Sequence, residues 1–158
     1  MLFRSQIDLP CMREPSNQNG SAAVGISDER ISVTSGTVLI VEDEDLLRSA
    51  MSKMLRKHGF SVIEAGNGDA ALDLVRSNRD SIEVILLDLT IPGAASSEVV
   101  AEAQRVRPDI RVVLMSAYSR AMVPPSLKVP EVRAFIRKPF HTRDLVQLLR
   151  DILSAERN

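Results

Sequence analysis

Five polar side chains interrupt otherwise apolar runs, and their types define a chemistry. Glu42 and Asp43 directly follow the run Thr37-Val38-Leu39-Ile40-Val41, and Asp88 ends Val84-Ile85-Leu86-Leu87. Ser116 ends Val112-Val113-Leu114-Met115, and Lys138 comes just after Ala134-Phe135-Ile136. Three carboxylates brought together repel one another and raise one another's proton affinity. A hard divalent cation relieves that repulsion, and Mg²⁺ takes oxygen ligands, typically one or two carboxylates plus water and phosphate oxygens. With Mg²⁺ present, one carboxylate can act as a nucleophile toward a phosphoryl group. The metal, an ammonium and a hydroxyl then stabilise charge on the transferring oxygens. Taken singly, each residue has an ordinary role: an Asp after a strand caps a helix, and a Lys after a strand is solvated. The set acquires a meaning only if the fold gathers all five at one edge.

The intervening sequence predicts such a fold. The four runs already named, together with Val62 to Ala65, are short and rich in β-branched residues, as in strands buried on both faces of a parallel sheet. Between them lie helical stripes. Leu46, Leu47, Ala50, Met51, Met54 and Leu55 fall on one face, with Lys57, His58 and Gly59 as a stop. Asn67 is placed to cap a helix carrying Ala71, Leu72 and Val75 inward. Val99, Val100, Ala103 and Val106 stripe a third helix, which Pro108 ends, and Thr142 is placed to cap a last one with Leu145, Leu148, Leu149, Ile152 and Leu153 inward. Strict β/α alternation implies a doubly wound, five-stranded parallel sheet with helices on both faces. A (β/α)₈ barrel needs about 250 residues, more than the whole chain of 158. In an open sheet of this kind, ligands bind beyond the carboxyl ends of the strands, where the five polar residues fall.

Composition narrows the function classes. Hydrophobic residues make up 44% and charged residues 26%, enough apolar material for a core, but aromatics are only 3%, so that core must be aliphatic. A formal net charge of −1 gives no electrostatic basis for binding nucleic acid or an anionic membrane. No apolar run approaches the roughly 20 residues that span a bilayer, and no secretion signal is visible. The single cysteine, Cys11, cannot form an internal disulfide, and a reducing, cytoplasmic setting is the expectation. Residues 1–36 lack sustained periodicity; Glu14 to Gly25 is rich in Ser, Asn, Gly and Ala and reads as a flexible linker. The turn after the first strand has no glycine-rich loop, which speaks against a dinucleotide site.

Residues 37 to about 154, with 155–158 left as a tail, resemble the receiver domain of two-component response regulators. The resemblance rests on five blocks in order: VLIVEDE at 38–44, ILLDLTIPG at 85–93, LMSA at 114–117, Phe135, and KPF at 138–140. It implies the flavodoxin-like receiver fold with strand order 2-1-3-4-5. It further implies that Asp88 is the phosphoacceptor and that Glu42, Asp43, Asp88 and the backbone carbonyl of Thr90 hold Mg²⁺. By the same resemblance Ser116 is the switch hydroxyl, Lys138 pairs with the phosphoryl group, Phe135 is the switch aromatic, and the peptide before Pro139 is cis. The partner implied is a histidine kinase or phosphotransfer protein, with no nucleic-acid or membrane contact. The activity implied is self-catalysed phosphotransfer and dephosphorylation, not that of an enzyme with an independent substrate.

The sequence departs from the family's pattern at two places. Ser96 stands where the family usually has Gly, which puts the loop after strand three in doubt. The segment SRAMVPPSLKVPE between strands four and five carries Pro124, Pro125 and Pro130, so the helix expected there should be short, broken or displaced. Two other functional classes compete. An aspartate-nucleophile phosphatase would want a second Asp two residues after the nucleophile, where this chain has Thr90. A receiver-like interaction module that is never phosphorylated remains the alternative. Finally, Leu2 to Pro10 is similar to the closing strand of histidine-kinase ATPase domains, which implies a remnant strand at 1–10 and the C-terminal receiver of a hybrid sensor histidine kinase.

Overall fold

The computed structural model describes residues 35–155. The expectations for a remnant strand at 1–10, for the linker up to residue 34 and for residues 156–158 lie outside that range.

Five strands form one parallel sheet: β1 Thr37–Val41, β2 Ser61–Ala65, β3 Val84–Asp88, β4 Arg111–Ser116 and β5 Val132–Arg137, in spatial order β2-β1-β3-β4-β5. Three helices join strands, α1 Asp45–Lys57, α2 Gly68–Ser77 and α3 Ser96–Val106, and α4 Thr142–Ala155 follows β5. The strand order reverses between β1 and β3, which pair directly. Glu42 and Asp88 therefore leave the sheet side by side, at the switch point where a doubly wound sheet opens a crevice.

Side-chain alternation splits the apolar runs between two cores. Val38, Ile40, Val84, Leu86, Val113 and Met115 face α1 and α4. Leu39, Val41, Ile85, Leu87, Val112 and Leu114 face α2 and α3. A strand covered on both faces needs no polar alternation, which is why these runs read as continuously apolar.

Several local expectations hold. The Asn67 side chain accepts a hydrogen bond from the Ala70 N–H at 2.8 Å and caps α2. Helix α3 stops at Val106, two residues short of Pro108. The Lys138–Pro139 peptide is cis. The proline-bearing segment between β4 and β5 forms only two short 3₁₀ turns, Arg120–Met122 and Pro125–Leu127; Val123, just after the first, and Leu127, in the second, are buried. Three expectations need correction. Leu46, placed on the apolar stripe of α1, is exposed in the first turn of the helix. Thr142 is the first helical residue and not the cap; the turn closes on the His141 carbonyl, which accepts from the Asp144 and Leu145 N–H groups. Ala155, expected in the tail, is still helical.

The loop after β3 is held against α2. The Gly68 N–H donates to the Pro92 carbonyl at 2.9 Å, and a Cβ at Gly68 would stand 1.9 Å from the Ala94 carbonyl oxygen. Only glycine lets the two backbones touch there. Ala in place of Gly inside a helix ordinarily gains up to about 1 kcal/mol. At this position the collision is with backbone, so Gly68→Ala should instead cost about 1–3 kcal/mol. Urea unfolding of the two proteins measures it, and equal or greater stability in the variant would contradict the close approach.

Candidate functional site

The acidic residues come from two neighbouring strand ends. Glu42 and Asp88 are 1% and 3% exposed, whereas Asp43 is open to solvent. One carboxylate oxygen from each of the three lies within 4.8 Å of the others. Facing them is Lys138, delivered by the end of β5. Its Nζ donates to Glu42 Oε2 at 2.5 Å and to Asp88 Oδ2 at 2.8 Å. Asp88 Oδ1 accepts from the Thr90 N–H at 3.0 Å and the Thr90 hydroxyl at 3.3 Å. Glu42 Oε1 accepts from the Glu44 N–H at 3.1 Å. Ser116 ends β4, 1% exposed, and its Oγ accepts from the Tyr118 N–H at 2.9 Å. That leaves the hydroxyl hydrogen available to donate. The Lys138 N–H donates to the Ser116 carbonyl at 2.8 Å, which ties the β4 and β5 ends together.

Burial holds the Glu42 carboxyl above its ordinary 4.5, more than the hydrogen bonds from Lys138 and the Glu44 N–H lower it, and the Asp88 charge adds to the rise. For Lys138 burial acts to lower the pKa, but hydrogen bonds and charge from Asp88 and Glu42 outweigh it, so the group is held above 10.5. One ammonium faces three carboxylates, two of them buried. A hard divalent cation is the group whose charge and oxygen preference fit that donor set. Glu42, Asp43 and Asp88 are the side chains positioned to hold it.

The structure therefore gathers Glu42, Asp43, Asp88, Thr90 and Lys138, with Ser116 at the adjoining strand end. Phe135 stands apart from the cluster. It is half-buried in the α2–α3 core and pairs in register with Leu114, whereas Ser116 pairs with Arg137.

Two supporting residues carry no site role in the sequence reading. Arg48 of α1 donates through Nη1 to the Glu42 carbonyl at 2.7 Å and lies beside Asp45 and Glu64. Its sequence context, an arginine next to an apolar stripe, is shared by Arg56 of the same helix and does not single it out. Ser96 is read there only as a departure. As the first residue of α3 it needs no special backbone; Gly93 supplies the positive φ of this loop. The Ser96 hydroxyl, 5% exposed, donates to the Asp88 carbonyl at 2.9 Å and lies 3.1 Å from the Leu89 carbonyl. It anchors the backbone that carries Asp88.

With the geometry in place, the class is clear: a doubly wound α/β domain with a carboxylate cluster and a lysine at its switch point. A family model for the response regulator receiver domain matches residues 38–150. A sporulation initiation phosphotransferase F of Bacillus subtilis is 30% identical over 122 residues, covering 77% of this chain and 96% of its own. A cyclic di-GMP phosphodiesterase of Thermotoga maritima is 37% identical over 123 residues, but the match spans only 31% of its length. Among solved structures, the response regulator protein TrrA of Thermotoga maritima in complex with Mg(2+)-BeF is 25% identical with a TM-score of 0.65, covering 74% of this chain and 98% of that one. The chain belongs to the response regulator receiver domain family of two-component systems. Among the described residues no helix is long and apolar enough to cross a membrane.

Two expectations follow from the geometry. Ser96→Ala strands two carbonyl acceptors beside a buried hydroxyl site and should cost about 1–2 kcal/mol in urea unfolding; an unchanged midpoint would show that the hydroxyl anchors nothing. The second concerns pH in metal-free protein. A carboxyl held above its unfolded value contributes stability below about pH 4.5, and that contribution is lost as pH rises through the folded value. The stability of Glu42→Gln relative to wild type should therefore increase on going from pH 4 to pH 7 without Mg²⁺. A constant difference across that range would refute the raised Glu42.

Proposed function

We propose that Asp88 is the phosphoacceptor of this receiver and that Glu42, Asp43, Asp88 and the Thr90 carbonyl hold Mg²⁺. The observation that carries the reading is the position of Asp88. Its carboxylate sits at the strand-order switch with Lys138 at 2.8 Å on one oxygen and Glu42 and Asp43 within 4.8 Å. In the proposed step an Asp88 oxygen attacks phosphorus, the P–N bond to a donor imidazole breaks, and that imidazole keeps the bonding pair. Lys138 turns an N–H toward a phosphoryl oxygen, and Ser116 donates its free hydroxyl hydrogen to another. Mg²⁺ would supply neutralisation of the carboxylates and of charge developing on the phosphoryl oxygens. Dephosphorylation reverses the roles, with water attacking phosphorus and the carboxylate leaving. Phe135, on the strand that delivers Lys138, is proposed as the aromatic whose packing reports the state of the site.

The phosphoryl donor on this reading is a phosphohistidine of a kinase or phosphotransfer protein in the cytoplasm, and the output is altered partner binding. The complete set of side chains at the site speaks against a receiver-like module that is never phosphorylated. That the chain is the receiver of a hybrid sensor histidine kinase is also proposed, on the sequence of residues 1–10 and on the order in which a linker-like stretch and then the receiver follow it. An upstream reading frame encoding an ATP-binding kinase domain, in frame with Met1, would support it.

Labelling tests the central assignment. Acetyl phosphate with Mg²⁺ should place one phosphoryl group on the wild type and none on Asp88→Asn, read by intact mass. Chelation should abolish labelling, and Asp43→Asn should need at least about tenfold more Mg²⁺ to restore it. Labelling of Asp88→Asn at the wild-type level would overturn the assignment.

A further inference from the structure

The segment that replaces a covering helix between β4 and β5 leaves a cavity of about 640 Å³ on the α2–α3 side of the sheet. Its volume is within the range of small-molecule pockets, about 300–1,000 Å³. The buried side chains of Leu114, Val123 and Leu127 form its floor, with Val129, Val132 and half-buried Phe135 around them. Two cations, Arg120 and Lys128, also line it, and both are exposed. Among the described residues neither side chain has a hydrogen-bond or ion-pair partner, and no acidic side chain lines the cavity. An apolar hollow with two positive charges at its solvent side is complementary to an apolar body ending in an anionic head.

We infer that this cavity is a binding site for a small amphipathic carboxylate, its alkyl chain lying on Leu127, Val132 and Phe135 and its head group between Arg120 and Lys128. None of Glu42, Asp43, Asp88 and Lys138 lines it. The chain buries apolar surface at about 0.8 kcal/mol per methylene in the ordinary accounting, so the floor supplies affinity and the two cations supply selection for the charged head.

Octanoate is the probe. Titrated into the full chain and followed by ¹H–¹³C methyl and ¹H–¹⁵N spectra, it should shift Leu114, Leu127, Val129 and Val132 saturably. Octan-1-ol, of the same length without charge, should bind at least about fivefold more weakly. The exposed double substitution Arg120→Glu with Lys128→Glu, whose unchanged spectrum elsewhere reports an intact fold, should weaken octanoate by at least about fivefold and leave octan-1-ol unchanged. Three results would each overturn the inference: no saturable shift at these residues up to millimolar octanoate, equal binding of the alcohol, or unaltered octanoate binding after charge reversal. Asp88→Asn should bind octanoate as the wild type does, which keeps this test separate from that of the phosphoacceptor.

Discussion

The arrangement at the strand ends depends on one ammonium group. Lys138 is the cation hydrogen-bonded to both buried carboxylates, Glu42 and Asp88. An uncompensated buried carboxylate is costly, so without an ammonium or a metal these two acids would not share a crevice in their charged forms. The surrounding structure delivers Lys138 to that point. Register pairing of β4 with β5 brings the strand ends level, and the Lys138 N–H closes on the Ser116 carbonyl. The lysine is thus held by its backbone while its side chain reaches across the sheet toward β1 and β3.

Backbone carbonyls provide the other half of the support. Arg48 holds the carbonyl of Glu42 and Ser96 holds that of Asp88. Each acid therefore has its main chain fixed by a side chain from the helix that follows its strand: α1 follows β1, and α3 follows β3. Gly68 adds a third tie by letting α2 rest on the loop that carries Thr90 onward. Side chains tied through their own backbone lose little further freedom when a ligand arrives, which is the physical basis of a preorganised site.

What the sequence made legible follows from which forces are local or periodic. β1 could be bounded at Thr37 and Val41 because double-sided burial leaves an unbroken apolar run ended by a charge. Asn67 could be named as a cap because that contact spans three residues. The gathering of Glu42, Asp43, Asp88 and Lys138 was legible once alternation implied a parallel sheet, since such sheets collect their strand ends. Ser96 and Arg48 were not, because their partners are carbonyls, which every residue carries and no sequence distinguishes. Ser96 looked like a loss of backbone freedom, when its gain is a hydroxyl. Thr142 was misplaced for a related reason: a carbonyl, that of His141, closes the turn that a side chain was expected to cap.

The two faces of the sheet are not equally built, and the difference explains why the irregular segment is tolerated. On the α1–α4 side two helices of thirteen and fourteen residues lie over the strands. On the other side α2 and α3 pack on β1, β3 and β4, and between β4 and the edge strand β5 the chain forms only two 3₁₀ turns. Val123 between those turns and Leu127 in the second reach the core, while β5 is only half-buried. Three prolines make a continuous helix there costly, at about 3 kcal/mol for each one placed inside it. The acids of the site come from β1 and β3, and their carbonyl ties come from α1 and α3; none of these elements passes through the proline-bearing segment. Its irregularity therefore changes the surface beside Phe135 while the elements that carry Glu42 and Asp88 lie elsewhere in the chain; Ser116 and Lys138, at the ends of the two strands it joins, are the site residues on which its path bears.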